Sequence, residues 1–279
     1  MVIDTATLDL TALTSRVRRH VVDMVFEAQS GHIGGSLSAT EIVAVLYAKV
    51  LKHDPQRPDW PERDRFIMSK GHCTPLQYAI LAETGYFPVE ELSTFRRLGS
   101  RLQGHSVLGK PPGVENSAGS LGMGLSFGLG IRLAARTSHV DPTVWVLMGD
   151  GEQNEGQVWE AAMAAAHHRV EKLVALIDRN GIQNDDFTAK TMSTEPLGEK
   201  YRAFGWEVRT GLDGHDVKAV EEALTWARDY RGGPVCLIFD TVKGKGVSFM
   251  EHNPGFHGAP PTPEEYEQAI RELAEAART

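Results

Sequence analysis

Two short segments carry the residues best suited to chemistry. Gly149-Asp150-Gly151 follows the apolar run Val144-Trp145-Val146-Leu147-Met148, and Asn180-Gly181-Ile182 follows the apolar run Leu173-Val174-Ala175-Leu176-Ile177. A carboxylate and an amide oxygen are hard donors suited to Mg²⁺, which keeps few protein ligands and shares its octahedron with phosphate and water. Gly151 removes a side chain where backbone would approach a phosphate closely. A predicted helix over 157–169 follows, and its N-terminal dipole end favours a nearby negative charge. Each segment read alone is also an ordinary turn sequence. The pairing is more specific: 28 residues separate Gly151 from Asn180, and both segments follow strand-like runs.

A second set of candidates is histidine. His32, His72, His105 and His257 each sit beside glycine in loop-like sequence. Imidazoles there can hydrogen-bond hydroxyls and move their protons near neutral pH, although capping and packing are the bland alternative. The chain has 11 histidines, so some are incidental; His167 and His168, in a helical stretch, receive no role.

These residues need a scaffold that brings distant loops to one edge. The apolar runs 65–68, 144–148, 173–177 and 235–239 read as buried strands, and 206–208 as a weaker one. Helical patterns lie at 8–29, 39–51, 75–84, 121–137, 157–169, 215–230 and 263–277. Residues 30–38 read as a Gly-rich turn. Alternating strand and helix predicts an α/β fold, a doubly wound, mostly parallel sheet with helices on both faces. Ligands in such sheets sit beyond the carboxyl ends of the strands. No repeat or linker divides the chain, so one domain over 1–279 is expected, with a functional loop from about 243 before the last helix. Gly122, Gly124, Gly128 and Gly130 follow no strand, which argues against a dinucleotide loop and for close helix packing.

Composition bounds the partners. Charged residues make up 24% and the formal net charge is -8, which argues against nucleic acid as the main partner. No segment has the apolar length of a membrane helix and no secretory leader is evident, so neither membrane nor export is expected. Two cysteines, Cys73 and Cys236, are too few for a disulfide framework, fit a reducing cytoplasm and read as buried filler.

Gly-Asp-Gly, this gap and Asn after an apolar strand resemble the signature of thiamine diphosphate enzymes. Further segments narrow the resemblance to transketolases. They are Ser30-Gly31-His32-Ile33-Gly34-Gly35-Ser36-Leu37, Asp64-Arg65-Phe66-Ile67-Met68-Ser69-Lys70-Gly71-His72, Gln103-Gly104-His105, Gly119-Ser120-Leu121-Gly122, Lys243-Gly244-Lys245-Gly246 and Phe256-His257-Gly258. They occur in family order and span nearly the whole chain. The resemblance implies that Asp150, Asn180 and the carbonyl of Ile182 hold Mg²⁺. It implies that His72, Gly119, Ser120, Leu121, Gly151, Lys243 and His257 contact thiamine diphosphate, and that His32, His105 and His257 face a sugar. Glu155 falls where the family has a buried glutamate coupling paired sites across a dimer; as a bare sequence position it reads equally as a charge at a helix N-terminus. Lys243 and Lys245 read equally as loop charges, and only Lys243 is assigned.

The resemblance covers the diphosphate-binding domain alone. The family's pyrimidine-binding domain, with the glutamate that activates the aminopyrimidine, has no counterpart here. The expectation is therefore half of a split enzyme that transfers a two-carbon ketol unit from a ketose, or ketose phosphate, to an aldose. A second polypeptide would bring the pyrimidine and C-terminal domains, in an α2β2 heterotetramer. Ile33 and Ser106 replace prolines common in the family, Cys73-Thr74-Pro75 replaces a smaller stretch, and Met123 stands where glutamine is frequent. The cofactor side is thus kept more closely than the substrate side. The alternatives are a deoxyxylulose phosphate synthase-like, 2-oxo acid or specialised carboligase subunit, and a non-catalytic regulatory subunit.

Overall fold

The computed structural model describes residues 9–184 and 186–277; Leu8, where the first predicted helix begins, lies outside them. The elements run α1 (Leu10–Ala28), α2 (Gly34–Ser38), α3 (Thr40–Val45), β1 (Arg65–Met68), α4 (Thr74–Glu83), α5 (Met123–Ala135), β2 (Val144–Gly149), α6 (Gly156–His167), β3 (Leu173–Arg179), the short pair β4 (Ile182–Gln183) and β5 (Asp186–Phe187), α7 (Thr188–Thr191), α8 (Leu197–Ala203), β6 (Glu207–Asp213), α9 (Val217–Asp229), β7 (Val235–Asp240) and α10 (Pro263–Ala276).

The main sheet has the order β1-β2-β3-β7-β6, and every pairing in it is parallel. Its central strands are apolar at nearly every position because both faces are covered. Trp145, Leu147, Val174, Leu176, Leu237 and Phe239 join a core with α1, α3, α4, α9 and α10. The alternate residues Val144, Val146, Met148, Ala175, Ile177 and Ile238 join a second core with α5, α6 and α8. The period of two along a strand thus feeds two separate cores.

Several local expectations change. The predicted Gly-rich turn contains α2, and the single helix expected over 39–51 is α3 followed by a π-helical turn at Leu46–Val50. Glycine is tolerated in α2 because neighbours occupy the space of the missing side chains. A Cβ on Gly34 would lie 2.8 Å from the Phe256 carbonyl oxygen, and one on Gly35 3.0 Å from Cys73 Sγ. The weak strand at 206–208 is a seven-residue edge strand whose exposed, polar face hides the strand pattern. Its pairing with β7 is interrupted between Arg209 and Leu212. Helix α8 and the β4–β5 pair carry no periodicity strong enough to announce them.

The glycines of α5 divide. A Cβ on Gly124 would fall 2.4 Å from Ser69 Cβ, and one on Gly128 2.8 Å from Val146 Cγ2, so these two pack closely as expected. Gly130 faces open space and does not. Cys73 and Cys236 are buried free thiols.

Candidate functional site

The register of the sheet assembles the site. Gly149 pairs with Asp178 and Met68 with Leu147. The segments after β1, β2, β3 and β7 therefore emerge together at the carboxyl edge. A cleft there is lined by His72, Leu121, Asp150, Gly151, Asn180, Ile182, Lys243 and His257, with Glu155 at its border.

Asp150 is 4% exposed. Its carboxylate accepts the Gly181 amide at 2.8 Å and the Gly151 amide at 2.9 Å, so the two turns are tied to each other. Burial, reinforced by the nearby charge of Asp178, raises its pKa to about 6. Asn180 donates Nδ2 to Asp178 Oδ2 at 3.1 Å, and its Oδ1 accepts the Ile182 amide at 3.1 Å. That bond to a carboxylate fixes which end of the amide is oxygen. Among the described residues Asp150 has no cationic hydrogen-bond partner, so a divalent ion would relieve its buried charge, and the donor set fits Mg²⁺. Among the described residues no three His, Cys, Asp or Glu gather as a metal cluster. An ion at Asp150 would then depend on amide, carbonyl and phosphate oxygens.

Lys243 lies across the cleft, 3% exposed, with Nζ donating to His257 Nδ1 at 2.9 Å. Burial brings the ammonium down to about 8. A buried cation whose bonded partner is a neutral ring is well disposed towards an anion, and the residues fit a diphosphate. Gly151 is constrained by protein as well: a Cβ there would lie 2.3 Å from Gln183 Cβ.

Four histidines from four separate segments meet beside Lys243. The His32 ring centroid is 5.0 Å from that of His72, 5.2 Å from that of His257 and 6.0 Å from that of His105. Burial is the largest cause holding all four below the usual histidine value. For His32 the charge of Arg96 and for His257 that of Lys243 act in the same direction, giving values of about 4 and about 3. His32 Nδ1 is buried without a partner. The cluster is therefore neutral at physiological pH and offers both donors and acceptors.

These depressed values make stability depend on pH. Below the ordinary histidine value of about 6.5 the unfolded chain takes up protons that these folded rings refuse, so stability falls as pH drops from about 6.5 towards 4. Urea midpoints at pH 7 and pH 5 check this. The midpoint should fall at pH 5, and by less in His32→Asn; equal midpoints for the wild type would contradict it.

Not every expected residue lies inside the cleft. Gly119 and Ser120 line an adjacent apolar groove with Asn116, Met123 and Phe127, while Leu121 borders the cleft itself. His105 is exposed at the far side of His32. Glu155 is exposed at the N-cap of α6 and makes no capping bond. The buried carboxylate of that turn is Glu152, which accepts from Ser69 Oγ, from Gly122 N at 2.8 Å and from Gly149 N at 3.0 Å.

Sequence reasoning also missed the hub beneath the cleft. Asp178, fully buried, accepts from Lys70 Nζ, from Thr241 Oγ1 and from Ser38 Oγ at 2.6 Å, besides Asn180. Its only sequence signal is a charge ending an apolar strand.

The chain is similar to known proteins over nearly its whole length. The family described as "Transketolase, thiamine diphosphate binding domain" matches residues 10–276. A 6-deoxy-6-sulfo-D-fructose transketolase subunit of Clostridium sp. is 41% identical over 266 residues, covering 95% of this chain and 96% of the relative. An apulose-4-phosphate transketolase subunit of Phocaeicola vulgatus is 40% identical over 258 residues, covering 92% and 91%. A transketolase structure from Leishmania mexicana superposes with a TM-score of 0.90 at 33% identity, covering 98% of this chain and 42% of that one.

Proposed function

The chain belongs to the transketolase family, as its thiamine diphosphate-binding domain, and from that membership we propose that it is the cofactor-anchoring subunit of a split ketol transferase. It would act as one domain over 1–279, in the cytoplasm, with a pyrimidine-domain partner in an α2β2 assembly. No helix among the described residues is long and apolar enough to cross a membrane.

The observation that carries this reading is the meeting of the Asp150–Asn180 pair, the Lys243–His257 pair and His72 in one cleft, with His32 packed against both of those histidines. Relatives of nearly the same length bear subunit names, which supports the need for a partner.

In this reading Asp150 and Asn180, with the Ile182 carbonyl, hold Mg²⁺. Lys243, His72 and His257 would hold the diphosphate, with Gly151 and Leu121 in the same cleft and Gly119 and Ser120 contacting the cofactor from the neighbouring groove. Bound thiamine diphosphate supplies the nucleophilic carbon and the electron sink for breaking the ketose C2–C3 bond. The protein supplies position and proton transfer. His32, neutral and packed against His72 and His257, receives or returns a proton at a sugar hydroxyl, and His257 faces the same sugar. His105, at the exposed end, orients the aldose acceptor. Glu155 lies outside this cleft chemistry and is left free to pair across a subunit contact.

The test is reconstitution. The purified chain should show no ketol transfer, and addition of a pyrimidine-domain partner should produce it. Transfer by the chain alone would refute the split arrangement. Product analysis with a ketose phosphate against pyruvate separates ketol transfer from 2-oxo acid chemistry.

A further inference from the structure

Behind the Lys243 segment runs a buried charge chain that the proposed chemistry does not use. Glu41, on α3, is 6% exposed. Its Oε1 accepts from Arg18 Nη2 on α1, and its Oε2 faces His215 Nδ1 at 3.1 Å. Beyond these bonds, both partners reach the same short stretch of backbone. His215 Nε2 accepts the Val242 amide at 2.8 Å, and Arg18 Nε donates to the Lys245 carbonyl at 3.1 Å. The two arms of one carboxylate thus end on either side of Lys243.

The hydrogen-bond roles are determined. An amide N–H can only donate, so His215 Nε2 is a bare acceptor and the ring hydrogen sits on Nδ1, facing Glu41. Burial pushes the Glu41 carboxyl up, but the charge of Arg18 and the bonds from His215 and Arg18 outweigh it and hold it below the usual range. An ionised carboxylate accepts from both arms at once.

The stretch needs such support. It has no helix or strand of its own, and Gly244 and Gly246 take φ values of +83° and +92°. It nevertheless keeps the Lys243 ammonium buried, where desolvation favours its escape to water. A third tie, Gly244 N to the Gly34 carbonyl at 3.0 Å, fixes the segment to the first residue of α2, two residues after His32.

We infer that Arg18, Glu41 and His215 form a positioning device for Lys243, clamping the backbone on both sides so that the ammonium points into the cleft at the diphosphate. The inference rests on the proposed diphosphate role of Lys243. It assigns His215 to cofactor affinity rather than to the ketose. Partners that orient metal ligands from behind are worth about 10–100-fold in affinity, and an effect of that order is expected for this clamp.

The test is thiamine diphosphate titration, with Mg²⁺, of the chain in complex with its partner subunit. Variants His215→Leu, His215→Gln and Lys243→Met are compared, and folding is checked by urea denaturation. His215→Leu should weaken binding by about 10–100-fold while leaving the ketose KM unchanged at saturating cofactor. His215→Gln can still accept from Val242 and donate to Glu41, so it should recover most of that affinity. Wild-type affinity in His215→Leu, or equal losses in the Leu and Gln variants, overturns the inference. If His215→Leu does not fold, Glu41→Gln replaces it, with a weakening of about tenfold expected and wild-type affinity again overturning. Lys243→Met separates the two claims: undiminished binding there refutes the diphosphate reading itself, whereas a loss there with none at His215 refutes only the clamp.

Discussion

Asp150→Asn should remove Mg²⁺-dependent cofactor binding while leaving the fold as stable as before or more so. The carboxylate is 4% exposed and its pKa is raised to about 6, chiefly by burial. At neutral pH it is ionised, and its buried charge opposes folding. The amide keeps the shape and removes that charge, at the loss of one of the two bonds from Gly151 and Gly181, since it has a single acceptor oxygen. Relief of the buried charge offsets that lost bond, so the thermal midpoint should hold or rise. Function should move the other way. Supporting residues around metal ligands are worth about 10–100-fold in affinity, and loss of the one charged donor proposed here should reach at least the upper end of that range. Thiamine diphosphate titrations with and without Mg²⁺, beside thermal melts, read both effects. Wild-type Mg²⁺ dependence in the variant would exclude Asp150 as a metal ligand. A large fall in stability would show instead that its bonds to Gly151 and Gly181 dominate.

Lys70→Met should be the most destabilising single change near the cleft. Lys70 is 2% exposed and its ammonium meets Asp178, which is fully buried; a second bond goes to the Gly35 carbonyl at 2.8 Å. The pair holds Lys70 above and Asp178 below their ordinary values, each against the effect of burial. Removing one member of such a pair strands the other charge and costs about 3–5 kcal/mol. That is a large part of the roughly 5–15 kcal/mol that holds a typical domain together. Asp178 would retain its bonds from Ser38, Thr241 and Asn180 without a compensating cation. Adding Asp178→Asn to Lys70→Met should therefore restore much of the loss. Urea denaturation of the single and double variants measures this. A single variant within about 1 kcal/mol of wild type would mean that water or local rearrangement neutralises Asp178.

The two cases differ in how far they could be read in advance. Asp150 stands out in the sequence through its pairing with Asn180: Gly-Asp-Gly alone is an ordinary turn, but both segments end apolar, strand-like runs at a characteristic separation. Lys70 and Asp178 look like ordinary charges, and nothing in their spacing, with 107 residues between them, says that they pair. Glu155 is a different case. Its place in a motif points to a group buried across a dimer; in the single chain it is exposed, and the buried carboxylate of that turn is Glu152, three residues earlier. Motif position identifies a residue; burial depends on which neighbours fold over it. The Arg18–Glu41–His215 chain joins three segments and was invisible for the same reason.

The sequence by itself determined the parallel α/β architecture, because strand-length apolar runs alternating with helical periodicity leave few other ways to cover both faces of a sheet. It also determined the placement of Asp150 and Asn180 at one edge, since both follow strands at their carboxyl ends, and the identity of the four loop histidines. Tertiary structure alone decided which of these residues share a cleft. The register of β1, β2, β3 and β7 brings Lys70, Asp150, Asp178, Asn180 and Lys243 together, whereas Gly119 and Ser120 turn into a neighbouring groove. It also decided protonation. A histidine or lysine has its ordinary affinity for protons in an isolated sequence, and only burial beside other charges makes His32 and His257 neutral and leaves Lys243 a cation in need of an anion.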